Sequence, residues 1–406
     1  MSTRSHSARW LWWALPAAAG LCACGGAAQA PVSLAAGPAR SDPVVTSTAL
    51  AAAETTPARE IASCGARSAT DVAGVADQGL QAQPAATGPT EPASERPGEG
   101  DWIEQVLVTH PLVGRIYRPS HHDFVARAQL DDALLRAHYV LLGEKHDNRD
   151  HHRLQTAVLE QLLHSRRGAA VAFEMLDTSQ QAALDQYLGG QARDVDAMAE
   201  LLRWDDSGWP AWSMYRPLFA AALEHNARIV AANLPRMEAM AIALRGRSAP
   251  ELAAIALPRL PAAELAAMEQ EMRQVHCDSL PASMVTGVAL AQQARDATMA
   301  RALLRADRGS GVVLVTGDGH ARSDRGVPVT LRAAGPAAVL SVAWLEVARG
   351  HSLPEDYLDR AEPGAAPYDF VWFTPRVDEV DPCGAEPLSA GTTAAGPGAG
   401  SALPPA

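Results

Sequence analysis

Five short runs rich in β-branched residues, at 139–142, 169–173, 228–232, 312–316 and 339–343, alternate with stretches whose apolar residues recur at helical spacing. That alternation restricts the chain to an α/β domain with a mainly parallel sheet flanked by helices, because parallel strands are joined by crossovers long enough to hold a helix. Between the first two strands, a helix over 150–164 sets Leu154, Val158, Leu159 and Leu162 on one face. A second helix is expected over 178–188. Between the third and fourth strands lies a long helical stretch, 235–305, interrupted by Pro250, Pro258, Pro261 and Pro281; it reads as a helical insertion or cap. No internal repeat is visible.

The ends differ from this middle. Residues 25–100 contain no Phe, Trp or Tyr and are dominated by Ala, Pro, Gly, Thr and Ser. Such a stretch buries too little apolar surface to offset its ordering entropy and reads as a disordered linker, reaching on the order of 50 Å as a flexible coil. The tail 384–406 is similarly low in complexity, which leaves 101–383 as the folded unit. At the start, Arg4 and Arg9 precede the apolar run 10–21, the pattern of an export signal. Leu21-Cys22-Ala23-Cys24 resembles a lipobox, giving a signal peptide over 1–24, a lipidated Cys24 and attachment to the bacterial cell envelope on its periplasmic face. Ala28-Gln29-Ala30 offers ordinary cleavage and a soluble periplasmic protein instead. A net charge of −12 argues against a nucleic-acid partner, since nothing replaces the counterions around phosphates. The five cysteines form no pair of CxxC motifs, and with Cys24 acylated at most one disulfide can form among Cys64, Cys277 and Cys383.

Each strand runs into polar residues. The first leads to Gly143-Glu144-Lys145-His146, the second to Glu174-Met175, the third to Asn233 and the fourth to Gly317-Asp318-Gly319-His320. Ligands of parallel sheets bind outside the carboxyl ends of the strands, so these residues converge on one rim. Glu144 and His146, two apart in extended chain, face the same side as a carboxylate–imidazole pair. Taken singly, Glu174 reads equally as a helix cap or salt-bridge partner and His320 as a loop histidine. Of His151 and His152 one faces solvent, and only His152 is expected to turn inward beside Glu144.

A resemblance gives the rim a chemistry. The run from Val140 to Gln155, then Phe173-Glu174-Met175, Trp209-Pro210-Ala211-Trp212 with Tyr215 and Pro217, Asn233-Leu234-Pro235-Arg236, Arg295-Asp296-Ala297 with Met299, and Gly317 to Arg322 with Gly326-Val327-Pro328 resemble the ChaN-like family of iron-regulated lipoproteins, related to the Tiki and erythromycin-esterase-like hydrolases. The resemblance implies haem as the ligand and haem or iron uptake at the envelope, with an outer-membrane haem receptor or transporter as partner. Haem iron needs an axial donor. Tyr215 is the first candidate, beside Trp209 and Trp212, whose indoles suit a porphyrin face, and before Pro217, with His146, His152 and His320 as alternatives. Met214 and Met284 are candidates for the pocket wall, and Arg322 or Arg236 for the propionates. His276-Cys277 reads as buried, or as disulfide-bonded to Cys383, in preference to a haem thiolate. An open rim leaves one haem face uncovered, which a homodimer would cover. The alternative is a metal-dependent hydrolase using Glu144, His146, Glu174 and His320 with a divalent metal, although neither HExxH nor GxSxG is present. A third reading is an adaptor whose rim residues only tie strand ends together. Lys145, the chain's single lysine, is given no role.

Overall fold

The computed structural model describes residues 102–190, 194–359, 366–380 and 383–384; the expected signal peptide, the expected linker and the tail beyond Gly384 lie outside them. The strands are β1 (Ile116–Arg118), β2 (Asp123–Val125), β3 (Tyr139–Glu144), β4 (Ala170–Asp177), β5 (Arg228–Asn233), β6 (Val312–Gly317), β7 (Val339–Glu346) and β8 (Phe370–Thr374). They form one sheet in the order β2-β1-β8-β7-β3-β6-β4-β5. Pairing from β8 to β5 is parallel throughout, and β1 alone runs against the rest, antiparallel to both β2 and β8. The five expected strands are all present; β1, β2 and β8 are additions along one edge.

The helices are α1 (Arg127–Arg136), α2 (Arg149–Ser165), α3 (Gln181–Leu188), α4 (Val195–Leu201), α5 (Trp204–Ser207), α6 (Trp212–Glu224), α7 (Arg236–Arg245), α8 (Ala262–Val275), α9 (Ala282–Ala306), α10 (Asp318–Ala321) and α11 (Val327–Ala334). None among the described residues is long and apolar enough to cross a membrane. Every residue of β3 and β6 is buried, as expected of central strands covered on both faces. The expected helix over 150–164 begins one residue earlier, where the Asn148 side chain accepts from the backbone N–H groups of Asp150 and His151. Two of the prolines in the insertion start helices: Pro261 and Pro281 stand at the N-caps of α8 and α9. The insertion builds its own core, with Leu234, Ile242, Met268, Met272, Val285 and Leu290 among its members. It is joined covalently to the sheet's far end by a disulfide between Cys277, just past α8, and Cys383, beyond β8.

Candidate functional site

β3 delivers Glu144 to the rim, and three neighbours close on its carboxylate. Tyr215 of α6 donates its hydroxyl to Glu144 Oε1 at 2.8 Å. His146 Nδ1 donates to the same oxygen at 2.9 Å. His152, in the first turn of α2, places Nδ1 3.1 Å from Oε2 while its Nε2 donates to the His146 carbonyl at 2.9 Å. The rings of His152 and Tyr215 meet edge to face, 4.3 Å between centroids. Burial, and then the adjoining Glu144 carboxylate, push the Tyr215 hydroxyl well above its ordinary range, so it stays a donor. Burial works against a charged His146, but the bond to Glu144 and the charge of Glu174 outweigh it and raise its pKa.

A second cluster stands beside the first. Glu174 Oε2 accepts from Thr316 Oγ1 at 2.8 Å and from the Gly317 N–H at 2.7 Å. Its Oε1 lies 3.4 Å from His320 Nε2, and His320 Nδ1 donates to Asp296 Oδ1 at 2.6 Å. An imidazole is thereby held between two carboxylates. Burial opposes its charge, yet Glu174 and Asp296 raise its pKa to about 10. Glu174 is held below the carboxylate range: burial raises it, but His320, His146 and the Gly317 N–H more than reverse that. Asp296 is pushed up to about 6 by burial, against the pull of His320. Asp318 rises to about 6 as well, through burial and then the nearby Glu271.

The two clusters touch through a glycine. A Cβ on Gly317 would fall 2.9 Å from His146 Nε2 and 3.6 Å from Glu174 Oε2, so the missing side chain lets His146 lie against β6. Gly143 is tighter still: its Cβ would meet Ala321 Cβ at 2.8 Å and the Asp318 backbone at 2.9 Å. We expect Gly143→Ala to cost about 1–3 kcal/mol by overpacking, read as a lower denaturant midpoint at unchanged slope. Access to the clusters is uneven. The His146 side chain is 31% exposed, against 0% for Glu144, 3% for His152, 4% for Glu174 and 7% for His320. Beside His146 stands the half-buried Trp209, with ring centroids 4.9 Å apart. Nδ1 is taken by Glu144, and Nε2 makes no hydrogen bond among the described residues.

Glu144, His146, Glu174 and His320 are therefore gathered into one place, together with His152 and Tyr215. Other expectations are corrected. Neither histidine of the 151–152 pair faces solvent: His151 is fully buried, accepting from the Lys145 N–H at 2.9 Å and donating from Nε2 to Thr374 Oγ1 at 2.8 Å. Burial depresses its pKa well below the usual value and it stays neutral. Arg322 points into the fold, bonded through two nitrogens to Asp324 at 2.9 and 2.6 Å and to the Asp359 carbonyl, which withdraws it from propionate binding. Arg236 is exposed at the start of α7. Trp212 packs on Trp204 and Phe219 away from His146, and Met214 supports the same core. Met284 lies in the first turn of α9, in the insertion. Cys277 is consumed by the disulfide, which ends its candidacy as a haem thiolate. Lys145 pairs with Asp147 and, at 3.5 Å, with Glu346. Asn233 donates to the Glu174 carbonyl at 2.9 Å and so aligns two strand ends. No group of three His, Cys, Asp or Glu among the described residues is arranged to hold a metal ion, so the divalent-metal alternative finds no support.

Sequence reading quoted Asp296 within a motif without giving it a role, and it passed over Thr316. Asp296 carried a readable signal, a lone acid on the Ala- and Val-rich buried face of α9. Thr316 carried none, being one more β-branched residue of a strand.

Residues 130–331, the span from α1 to α11 that contains both clusters, match a family model described as haem-binding uptake, Tiki superfamily, ChaN. No curated protein matches the chain. Among solved structures, ChaN of Campylobacter jejuni, described with cofacial haem binding, is 22% identical with a TM-score of 0.52, covering 63% of this chain and 95% of its own. That likeness establishes the fold. The type III effector HopBA1 is 15% identical over 64% of this chain and 94% of its own, with a TM-score of 0.36. An erythromycin esterase variant in its open conformation is 13% identical over 59% and 81%, with a TM-score of 0.32. The last two likenesses are too weak to carry an argument.

Proposed function

This chain belongs to the ChaN-like family of the Tiki superfamily, and on that premise we propose that it binds haem at the rim of its sheet, with His146 as the group that reaches the iron. The observation that carries this assignment is the commitment of the two ring nitrogens. Nδ1 is fixed on the buried Glu144 carboxylate, and Nε2, which makes no hydrogen bond among the described residues, lies over Gly317 on a side chain that is 31% exposed. Histidine ligands of metals are commonly oriented and made more basic by a carboxylate on the other nitrogen. Trp209 supplies a flat apolar neighbour for a porphyrin, and exposed Arg236 a cation for a propionate. Tyr215 and His152 then act from behind, holding Glu144 and His146 in place, while His320 holds Glu174. Tyr215 becomes the iron donor only if its proton and its bond to Glu144 are both given up.

Export and attachment through Cys24 belong to the same proposal. The Cys277–Cys383 disulfide supports it, because such bonds persist in oxidising compartments. A second copy bringing its own haem face to face would cover the side of the porphyrin that this rim leaves open.

Titration of the full chain with hemin is expected to give a saturable Soret band. His146→Ala should shift that band and weaken binding about tenfold or more, while Tyr215→Phe should leave the band position in place with a modest loss of affinity. A band abolished by Tyr215→Phe and kept by His146→Ala would transfer the iron to Tyr215. No saturable band at all would remove haem from the account.

A further inference from the structure

α8 borders the rim without belonging to the sheet. It packs chiefly on α9, where Met268 and Met272 enter the insertion's own core. Prolines interrupt the chain on either side of it, Pro258 and Pro261 before and Pro281 after, so it is a separate segment between two breaks. Its Glu264–Glu271 side reaches the rim. Glu271 Oε1 would lie 3.5 Å from a Cβ on Gly319, and the Gly319 N–H donates to Asp318 Oδ1 at 2.9 Å. Two carboxylates therefore come to one glycine, which stands between Asp318 and His320.

Local charge does not hold α8 there. Two turns apart, Glu264 and Glu271 both reach the buried Arg325, at 3.4 and 3.0 Å. Asp359 lies 3.5 Å and Asp324 3.9 Å from the same guanidinium, while Arg322 is spent on Asp324. With Asp318 counted, five acids meet two arginines among the described residues, and the excess of like charge pushes α8 from α10. Burial first and Glu271 second raise the Asp318 pKa to about 6, in keeping with that crowding. A covalent tie opposes the push. Cys277, two residues beyond the end of α8, is bonded to Cys383, beyond β8. Cys277 is half-buried and Cys383 exposed, which leaves the bridge within reach of a thiol from solvent.

We propose that the Cys277–Cys383 disulfide is a redox latch that holds α8 against the rim and is opened by a dithiol reductant. A thiolate of the reductant attacks Cys383 Sγ, the S–S bond breaks and Cys277 leaves as a thiolate. The reductant's second thiol then displaces Cys383, so two electrons and two protons pass to the protein and the reductant ends as its own disulfide. Freed at that end, α8 keeps only the Arg325 contacts against the acid excess, and it turns on its flanking prolines away from Asp318 and His320. The consequence for the ligand rests on the haem reading of the rim: haem leaves faster when the bridge is open.

Hydrogen exchange of the full chain, oxidised and reduced, tests the latch without any ligand. Once the bridge is reduced, amides of α8 should exchange about tenfold or more faster than those of α2 and at a rate unchanged by low urea, the mark of local opening, a difference absent from the oxidised chain. Cys277→Ser with Cys383→Ser should reproduce this without reductant. Exchange of α8 that keeps pace with α2, shares its urea dependence or is already as fast in the oxidised chain makes the bridge a stabiliser of the whole fold and overturns the proposal. Hemin transfer to apomyoglobin is the second arm. It should be about tenfold faster from the doubly substituted chain, and equal rates from the two chains overturn control of the rim. If neither chain takes up hemin, the haem reading falls while exchange still decides the latch.

Discussion

Replacing Cys277 and Cys383 together by serine is expected to lower the free energy of unfolding by about 4–5 kcal/mol. The bridge spans 106 positions, and closing a loop of that length removes about this much from the unfolded chain in the loop-entropy description. The loop contains α9, β6, α10, α11, β7 and β8, so Asp296, Thr316, Gly317 and His320 of the second cluster, though not Glu174, and the strand that carries Thr374 lie inside it. Local geometry adds to the case. Cys277 and Asp278 both take left-handed backbone conformations, with φ of 54° and 51°, at the turn that ends α8. Two successive non-glycine residues rarely hold that form without a tether. Urea unfolding of the native and doubly substituted chains under non-reducing conditions measures the difference, and the native chain with reductant should reproduce the substituted one. A loss below about 1 kcal/mol would mean that the unfolded chain is already compact across this span or that the bridge strains the native turn. The matched family region ends at 331, so the bridge ties Cys277 within it to a residue beyond it.

How much of this was legible beforehand follows the physics of each signal. The parallel strands were readable because a strand covered on both faces must be apolar along its whole length, and 139–142 and 312–316 announce themselves that way. β1 and β2 were not, since three residues carry no period, and β8 was not, because among the described residues only a single 3₁₀ turn, Pro354–Tyr357, stands between it and β7. The rim was legible as a set of strand ends, and Glu144, His146, Glu174 and His320 do meet there. What sequence could not supply is which of them is open. Tyr215 was the first candidate for the iron because indoles stand beside it and a phenolate suits ferric iron, yet α6 turns it inward onto Glu144, where His152 meets it as expected. Arg322 looked free because its partner Asp324 is two residues on, a local pair that spacing alone does not reveal. Exposure is a property of packing, and packing is the part of the fold that a one-dimensional pattern encodes least directly.

Between about pH 6.5 and pH 10 the protein is expected to lose stability as pH rises, by an amount on the order of a few kcal/mol. His320 sets this window. Its pKa is raised to about 10 in the folded state, so its stabilising charge is complete below the ordinary histidine value and is withdrawn as the proton leaves on the way to 10. His146, also raised, moves in the same direction. On the acid side the signs conflict. Glu174, held low, loses its stabilising contribution as pH falls below the ordinary carboxylate range. Asp296, raised to about 6, is relieved over pH 4–6 as it takes up a proton. These two offset each other, which leaves the alkaline limb as the clean one, and Tyr139, raised to about 12, enters only beyond it. Glu174→Gln removes the carboxylate that sustains both imidazolium groups. It should destabilise the protein by about 3–5 kcal/mol at neutral pH, the usual cost of breaking a buried ion pair, and should flatten the alkaline slope. Denaturant midpoints taken at half-unit steps from pH 6 to pH 10, with the His320 ring shift followed in parallel, decide the matter. A stability that is level or rising over that range would show that His320 sits neutral between its two carboxylates, with the proton shared onto Asp296 instead.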